Sequence, residues 1–295
     1  TPALVVDLAV LEQNIETMHA FFREGGTKLR PHVESHRCPE IARLQLAAGG
    51  TAGGICTTTV GEAEVFAEHG FTDLLIANEV VVPPKIKRLV NLARRVLVTV
   101  PVDNLQNIKD LSQAFAGSSA TLNVAVDIRV RPDRSGVEPG EAALGIARAV
   151  ATAQGLRFVG LVSSSGGLPS EDSDEMFARS QEWLQQVLDT REKIERAGFE
   201  VGVVSVGGNV GDETAGVMTG VTEVLAGSYA LSDYHQWQNG GRFQPAALVM
   251  ATVTSRPEAG AAIIDCGYGV MQNTMKILSI KISVVIFEYL SIFNI

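Results

Sequence analysis

The chain has 295 residues, which is long enough for one large α/β barrel or for two domains of medium size. Its composition, 46% hydrophobic and 19% charged, is that of a globular domain and excludes a disordered or fibrous chain. A net charge of −9 and a pI near 5.1, without a basic stripe along the chain, exclude a general nucleic-acid binder.

The cysteines and the two ends of the chain indicate the cellular compartment to expect. Cys38, Cys56 and Cys266 are odd in number and widely spaced, so the sequence predicts neither a disulfide framework nor a CxxC metal site. No signal peptide is predicted at TPALVVDLAVLEQNI, and the apolar run ILSIKISVVIFEYLSIFNI is interrupted by Lys281 and Glu288. We therefore expect a cytoplasmic protein with no membrane or nucleic-acid partner.

Short apolar runs alternate with longer helical patterns along most of the chain, separated by Gly, Pro or Asn. This alternation is typical of βα units around a parallel sheet. It predicts eight strands, over residues 28–34, 53–58, 73–77, 96–100, 121–128, 158–163, 201–206 and 223–226. The pattern also predicts a helix over 60–69 that ends before Gly70, and a long amphipathic helix within 170–198.

Eight such units predict a TIM (β/α)8 barrel over residues 8–240, although a doubly wound open sheet would give similar local patterns. The segment PAALVMATVTSRPEAGAAIID predicts two strands joined by the turn RPEAG, and TPALVVD predicts a third. We expect residues 1–7 and 241–268 to form a partial antiparallel β-domain. It is predicted to be incomplete, because the tail over 269–295 has a divergent, low-complexity composition.

In a barrel or an open parallel sheet, chemistry belongs at the carboxyl ends of the strands. Polar residues and glycines close to those ends are the candidates: His32, Glu34, Thr57, Thr58, Asp127, Arg134, Ser164, Gly207, Gly208, Asn209, Ser228 and Tyr229.

Two glycine-rich turns, SVGGNVGD and LAGSYALSD, follow the seventh and eighth predicted strands. Glycines let backbone N–H groups approach a phosphate, and turns at this place in a barrel are a usual phosphate site. Tight-turn geometry alone is the alternative interpretation. Arg134, in VDIRVRPDRSGVEPG, could hold a carboxylate or a cofactor oxygen, or could be a surface arginine paired with Asp133.

The segment LRPHVESHRCPEIA places a carboxylate, Glu34, two residues after His32 at the end of the first barrel strand. On a strand these side chains would share a face and could act as base and acid, or bind a metal. No third ligand at a regular spacing is evident, so no metal is predicted. In the alternative interpretation, Glu34 pairs with Arg30 or Arg37.

Several segments, in this order, resemble a known family: TPALVVDLAVLEQNI, LRPHVESHRCPEIARLQLAAG, TTTVGEAEVFAEHG, DRSGVEPG, GLVSSSGGL, SVGGN and EVLAGSYALSD. Over residues 1–268 the chain resembles the fold-type III pyridoxal-phosphate enzymes related to alanine racemase. Within them it resembles the group of D-threonine aldolase and eukaryotic-type D-serine dehydratase. The resemblance implies a homodimeric TIM barrel that binds pyridoxal phosphate and a D-3-hydroxy amino acid, as a lyase working by retro-aldol cleavage or dehydration.

The resemblance also implies the positions of the cofactor. Its phosphate would lie on the turns Gly207-Gly208-Asn209 and Gly227-Ser228-Tyr229, and Arg134 would lie near its ring. Ser164 stands where the family usually has an aromatic residue beside the cofactor. The metal-binding pair of the family's C-terminal domain has no counterpart, since the match ends before it, and we expect a C-terminal truncation.

The main departure from the family pattern is at the cofactor lysine, which lies two residues after the histidine. Here that position is Glu34, and the second lysine of the pattern is Arg37. A carboxylate cannot form a Schiff base, so bound pyridoxal phosphate would be held noncovalently. The sequence leaves three alternatives: a lyase, a non-catalytic binder of pyridoxal phosphate or another phosphorylated ligand, and an acid–base enzyme that uses Glu34 and His32.

Overall fold

The structure is a computed structural model that describes residues 1–131, 133–164, 173–207, 219–232, 234–238, 240–258 and 261–266. The described chain divides into two units. One is Ile15–Gly227, and the other combines Thr1–Asn14 with the described residues from Ser228 onward. Within the described ranges, no helix combines the length and apolarity that crossing a membrane requires.

The unit Ile15–Gly227 is built on an eight-stranded parallel sheet. Its strands are β2 (Lys28–Pro31), β3 (Ile55–Thr57), β4 (Asp73–Ile76), β5 (Leu97–Val102), β6 (Leu122–Asp127), β7 (Leu156–Ser164), β8 (Val203–Gly207) and β9 (Glu223–Ala226). Neighbours in the chain are neighbours in the sheet, and β2 pairs with β9. Parallel bridges from Leu29 to Thr51 and from His32 to Cys56 join the remaining two edges. The sheet is therefore a barrel, and the open-sheet alternative is excluded.

Helices connect the strands. They are α1 (Leu8–Arg23), α2 (Pro39–Ala47), α3 (Val60–Glu68), α4 (Pro83–Ala93), α5 (Leu105–Ala116), α6 (Glu141–Thr152) and α7 (Ser173–Arg196). Local sequence explains several boundaries. The Thr59 hydroxyl caps α3 by accepting from the Glu62 N–H at 3.2 Å, and the chain leaves that helix at Gly70 with φ +89°. Asn104 caps α5 in the same way, and α2 and α4 begin with proline.

The barrel interior is layered. An apolar layer holds Cys56, Leu75, Ala125, Val162 and Leu225, which come from five different strands. Nearer the amino ends of the strands lies an ion network. The buried Arg30 guanidinium donates to both carboxylate oxygens of Glu223 at 2.9 Å and to Asp73 at 3.1 Å, and Ser205 donates to Glu223 at 2.7 Å. Packing and charge therefore fill the amino end, which leaves the carboxyl end as the place for a site.

A register shift in the barrel explains why residue 160 is a glycine. Between β6 and β7 the pairing passes from Val124–Phe158 to Ala125–Gly160, so Val159 is extra. A Cβ on Gly160 would lie 1.9 Å from the Val203 carbonyl oxygen of β8. Only glycine allows β8 to approach β7 this closely.

The other unit carries two small antiparallel sheets. Strand β1 (Ala3–Val6) pairs with β10 (Ala247–Met250), and β11 (Val253–Ser255) pairs with β12 (Ile263–Ile264). A short helix, α8 (Tyr234–Gln238), precedes β10. The predicted extra strands at the chain ends are confirmed. The segment predicted as one strand, PAALVMATVTS, contains both β10 and β11.

Candidate functional site

The carboxyl ends of the eight barrel strands bring polar groups to one end of the barrel, here called the mouth. The residues at or just after those ends are His32, Thr58, Glu79, Asp103, Asp127, Ser164, Gly207 and Gly227. Six of these were singled out from the sequence. Glu79 and Asp103 were missed because each lies in a loop, and only the barrel register identifies those loops as adjacent to Asp127.

The turn after β2 differs from its prediction. The strand ends at Pro31 rather than at residue 34, and Val33–Ser35 form a 3-10 turn. The N–H groups of His36 and Arg37 both donate to the Val33 carbonyl oxygen, which closes this turn, and Arg37 takes φ +48°. The predicted alternation of side chains across a strand is therefore wrong at His32 and Glu34.

Glu34 is exposed on this turn. Its backbone N–H approaches the His32 Nδ1 atom at 3.4 Å, so the turn brings these two residues together through the backbone. Burial lowers the pKa of His32, against the charges of Glu34 and Glu62, and the imidazole is neutral near pH 7. The catalytic role assigned to His32 and Glu34 remains a prediction.

The alternative ion pairs for Glu34 are contradicted. Arg30 is engaged with Glu223 and Asp73 inside the barrel. Arg37 pairs through its Nε atom with Glu62 at 3.1 Å. No ion pair joins Glu34 to either arginine in the described structure, because Arg30 is held inside the barrel and Arg37 is held by Glu62.

His36 has a structural role. Its Nδ1 atom accepts from the Cys38 N–H at 3.0 Å, and its Nε2 atom lies 3.1 Å from the Gln45 side-chain oxygen. Burial lowers the pKa of His36 to about 4, so the ring stays neutral over the physiological range. This ring fixes the start of α2 and with it the far side of the turn that carries Glu34.

A pair of carboxyl groups lies at the mouth. Asp127, at the end of β6, is 8% exposed and accepts a hydrogen bond from the Ser135 hydroxyl at 2.8 Å. Burial raises the pKa of Asp127 to about 7, opposed by that hydrogen bond and reinforced by Glu79 and Asp103. Asp127 therefore carries a proton for part of the time near pH 7.

The buried polar atoms without a hydrogen-bond partner in the described structure include Thr58 Oγ1, Glu79 Oε1 and Arg134 Nε, which lie in the loops after β3, β4 and β6. The sequence alternative, in which Arg134 pairs with Asp133, is wrong, because Asp133 pairs with the Arg131 Nε atom at 2.8 Å. Buried polar groups are nearly always satisfied in folded proteins. Unpaired donors and acceptors at this end are what a polar ligand would satisfy.

The glycine turns are only partly described. Gly207 is buried at the end of β8, while Gly208 and Asn209 lie outside the described residues. A Cβ on Gly227 would lie 1.8 Å from the His32 carbonyl oxygen, and the Ser35 hydroxyl donates to the Gly227 carbonyl oxygen at 3.0 Å. Gly227 therefore lets the turn after β9 lie against the turn that carries Glu34.

Three further candidates keep the status of predictions. Ser164 is half-buried at the end of β7. Ser228 and Tyr229 belong to the second unit. There Ser228 is exposed, and Tyr229 is buried with its ring centroid 5.9 Å from that of Phe243.

The described lysines do not supply an amine at the mouth. Lys28 begins β2, and its Nζ atom donates to the Gly25 carbonyl oxygen at 2.9 Å. Lys193 pairs with Glu141 between two outer helices. The others described are exposed on helices: Lys85, Lys87 and Lys109. The described residues therefore do not fit a covalently held pyridoxal phosphate, and no group of three or more His, Cys, Asp or Glu among them could hold a metal ion.

Together, the closed parallel barrel and its polar mouth define a TIM barrel protein with a small-molecule site. The chain belongs to the family of the alanine racemase N-terminal domain, whose model matches residues 6–230. This confirms the family resemblance predicted from the ordered segments.

Several relatives are similar over most of the chain. A D-threonine aldolase of Arthrobacter sp. is 35% identical over 272 residues, which are 90% of this chain and 71% of the relative. A 3-hydroxy-D-aspartate aldolase of Paracoccus denitrificans is 34% identical over 279 residues, 90% of this chain and 72% of the relative. The crystal structure of D-threonine aldolase from Filomicrobium marinum superposes with a TM-score of 0.84 at 36% identity, covering 92% of this chain and 74% of that one.

Proposed function

We propose that this chain is a ligand-binding protein of lyase ancestry. It holds pyridoxal phosphate, or a similar phosphorylated small molecule, noncovalently at the barrel mouth. The observation that carries this proposal is Glu34, an exposed carboxylate at the position where the family resemblance places the cofactor lysine. Turnover as a lyase would need an amine there, and the described lysines lie elsewhere.

The unpaired groups at the mouth support binding. Arg134 offers an unpaired Nε–H donor, which suits a phosphate, carboxylate or phenolate oxygen. The Thr58 hydroxyl is a second unpaired group and can donate or accept. A ligand that satisfies such atoms recovers the free energy that their burial without partners costs, about 1–3 kcal/mol for each group.

The names of the relatives suggest the wider ligand class. Aldolases for D-threonine and for 3-hydroxy-D-aspartate act on D-3-hydroxy amino acids, and we carry that class to this chain as the molecules that would accompany the cofactor. From the resemblance we also propose a phosphate site on the two glycine turns, a homodimer and a cytoplasmic location. The acid–base alternative loses support because Glu34 lies exposed on a turn instead of facing His32 across a strand.

Equilibrium titration with pyridoxal phosphate tests the proposal. We expect saturable binding that dialysis fully reverses, together with no cleavage of D-threonine by the loaded protein. Arg134→Ala should weaken binding about tenfold, because a charge-assisted hydrogen bond contributes about 1.5 kcal/mol. Arg148→Ala, which removes an exposed arginine of α6, is the matched control and should bind normally. Absence of saturable binding, or D-threonine cleavage at an enzyme-like rate, would refute the proposal.

A further inference from the structure

Glu34 is a carboxylate without a positive partner among the described residues. The two arginines nearest in the chain are engaged elsewhere, Arg30 with Glu223 and Asp73, and Arg37 with Glu62. The adjacent imidazole, His32, is neutral near pH 7 because burial lowers its pKa. An exposed carboxylate that has no positively charged neighbour to pair with can bind a cationic group of a ligand.

Glu34 lies on the turn that directly follows the carboxyl end of β2, at the end of the barrel that forms the mouth. Its charge acts on the ring of His32. Burial is the main cause of the raised pKa of the Cys56 thiol, and Glu223, Glu34 and Glu62 add to it against the opposing charge of Arg30. Cys56 lies in the apolar layer of the barrel and bridges to His32 across the closing edge. The Glu34 N–H lies 3.4 Å from the His32 Nδ1 atom, so Glu34 lies next to the closing edge of the barrel at the end where the strands terminate.

The other described charges at the mouth do not neutralise Glu34. Glu62 is the second carboxylate that acts on His32, and it is satisfied by Arg37 and by the Thr58 N–H at 2.8 Å. Across the mouth, Asp127, Glu79 and Asp103 form an acidic group. Arg134 lies in the loop after β6, on the acidic side of the mouth rather than beside Glu34. A ligand that carries an ammonium group would meet complementary charge near the turn of Glu34.

We infer that the mouth selects the amine form of a phosphorylated pyridine, in which the ligand carries the amine and the protein carries the carboxylate. This inference rests on the proposed function, since it names the ligand form preferred by the same site. It reverses the chemistry expected of a lysine at this position: an ion pair between Glu34 and an ammonium group takes the place of a covalent link between a lysine and an aldehyde. No bond is made or broken, so binding needs no co-reactant.

The size of the preference follows from the exposure of Glu34. An ion pair with an exposed partner contributes up to about 1 kcal/mol, which corresponds to about a fivefold change in Kd. We therefore expect the amine ligand to bind about five times more tightly than its alcohol analogue. The preference should shrink as the salt concentration rises, because mobile ions screen exposed charges.

Calorimetric titration of the whole chain with pyridoxamine phosphate and with pyridoxine phosphate tests the inference, since these probes share the ring and phosphate and differ in the amine. We expect about a fivefold preference for the amine in the wild type and less than about a twofold preference in Glu34→Gln. Glu68→Gln, at the far end of α3, removes the same charge from an exposed site away from the mouth and should keep the preference.

The outcomes separate the two proposals. Equal affinities for both probes, unchanged in Glu34→Gln, would overturn the amine preference and leave the ligand-binding function standing. Failure of both probes to bind would overturn the function and the preference together. Retention of the preference in Glu34→Gln would show that another residue selects the amine and would also overturn the assignment to Glu34.

Discussion

Asp127 is the residue whose environment most changes its ordinary chemistry. Its carboxyl is buried beside Glu79 and Asp103, and its pKa is raised to about 7, whereas an aspartate in an unfolded chain titrates at about 3.9. At pH values between about 4 and about 7, Asp127 keeps a proton in the folded state that it releases in the unfolded state. Asp127 therefore lowers the free energy of unfolding as the pH rises from about 4 to about 7, and its effect is level above that range.

Replacing Asp127 with asparagine removes this contribution. The free energy of unfolding of Asp127→Asn, relative to wild type, should be higher at pH 8 than at pH 5 by about 1–3 kcal/mol. Urea denaturation at the two pH values measures the difference. His32 and His36 have lowered pKa values, so they raise the free energy of unfolding as the pH rises, in the wild type and in Asp127→Asn alike. For this reason the prediction is stated as the difference between the variant and the wild type.

The matched control is Asp189→Asn, which removes an exposed carboxylate on α7. Its free energy of unfolding relative to wild type should change by less than about 0.5 kcal/mol between the two pH values. A pH-independent effect of Asp127→Asn would mean that the Asp127 carboxyl is not the group that holds the proton.

At the scale of an element, the turn after β2 is held by Gly227. A methyl group at that position would collide with the His32 carbonyl oxygen, which lies 1.8 Å from the ideal Cβ position. Both partners are backbone at the joined ends of β2 and β9, where the His32 N–H donates to the Ala226 carbonyl oxygen at 2.8 Å, and neither can move aside without breaking that pairing.

We expect Gly227→Ala to lower the free energy of unfolding by about 3 kcal/mol, the upper part of the range for overpacking, and to weaken ligand binding because the Glu34 turn shifts. Gly145→Ala is the control. Gly145 lies within α6 with nothing near its Cβ position, so alanine there should stabilise the protein by up to about 1 kcal/mol. Urea denaturation and the pyridoxal phosphate titration measure both effects. Normal stability of Gly227→Ala would contradict this packing.

The sequence predicted that a strand begins at Lys28, but it did not predict the turn that follows this strand. The start of β2 was therefore predicted as observed, but the predicted continuation of the strand to Glu34 was wrong. The turn depends on contacts that are distant in the chain, such as the Ser35 hydroxyl with Gly227. Such contacts leave no periodic signal in a single sequence, whereas Gly70, where the chain leaves α3, is a local signal and was identified.

At the scale of the whole molecule, the alternation of apolar runs and helical patterns was sufficient to predict the eight barrel strands. The ion network of Arg30, Glu223 and Asp73 was not predicted, since its members are separated by up to 193 residues and only barrel closure brings them together. The same limit applies to Glu79 and Asp127 at the mouth. The sequence pattern therefore predicts the barrel strands, whereas the way in which the strands pair in the folded barrel decides which polar side chains come together.

The central claim is that the barrel keeps a cofactor-like ligand without a covalent link, because position 34 offers a carboxylate. The most direct measurement is borohydride reduction of the protein loaded with pyridoxal phosphate, followed by peptide mass spectrometry. We predict no stoichiometric adduct on the wild type, and an adduct at position 34 in Glu34→Lys. A stoichiometric adduct on any lysine of the wild-type chain would contradict the account.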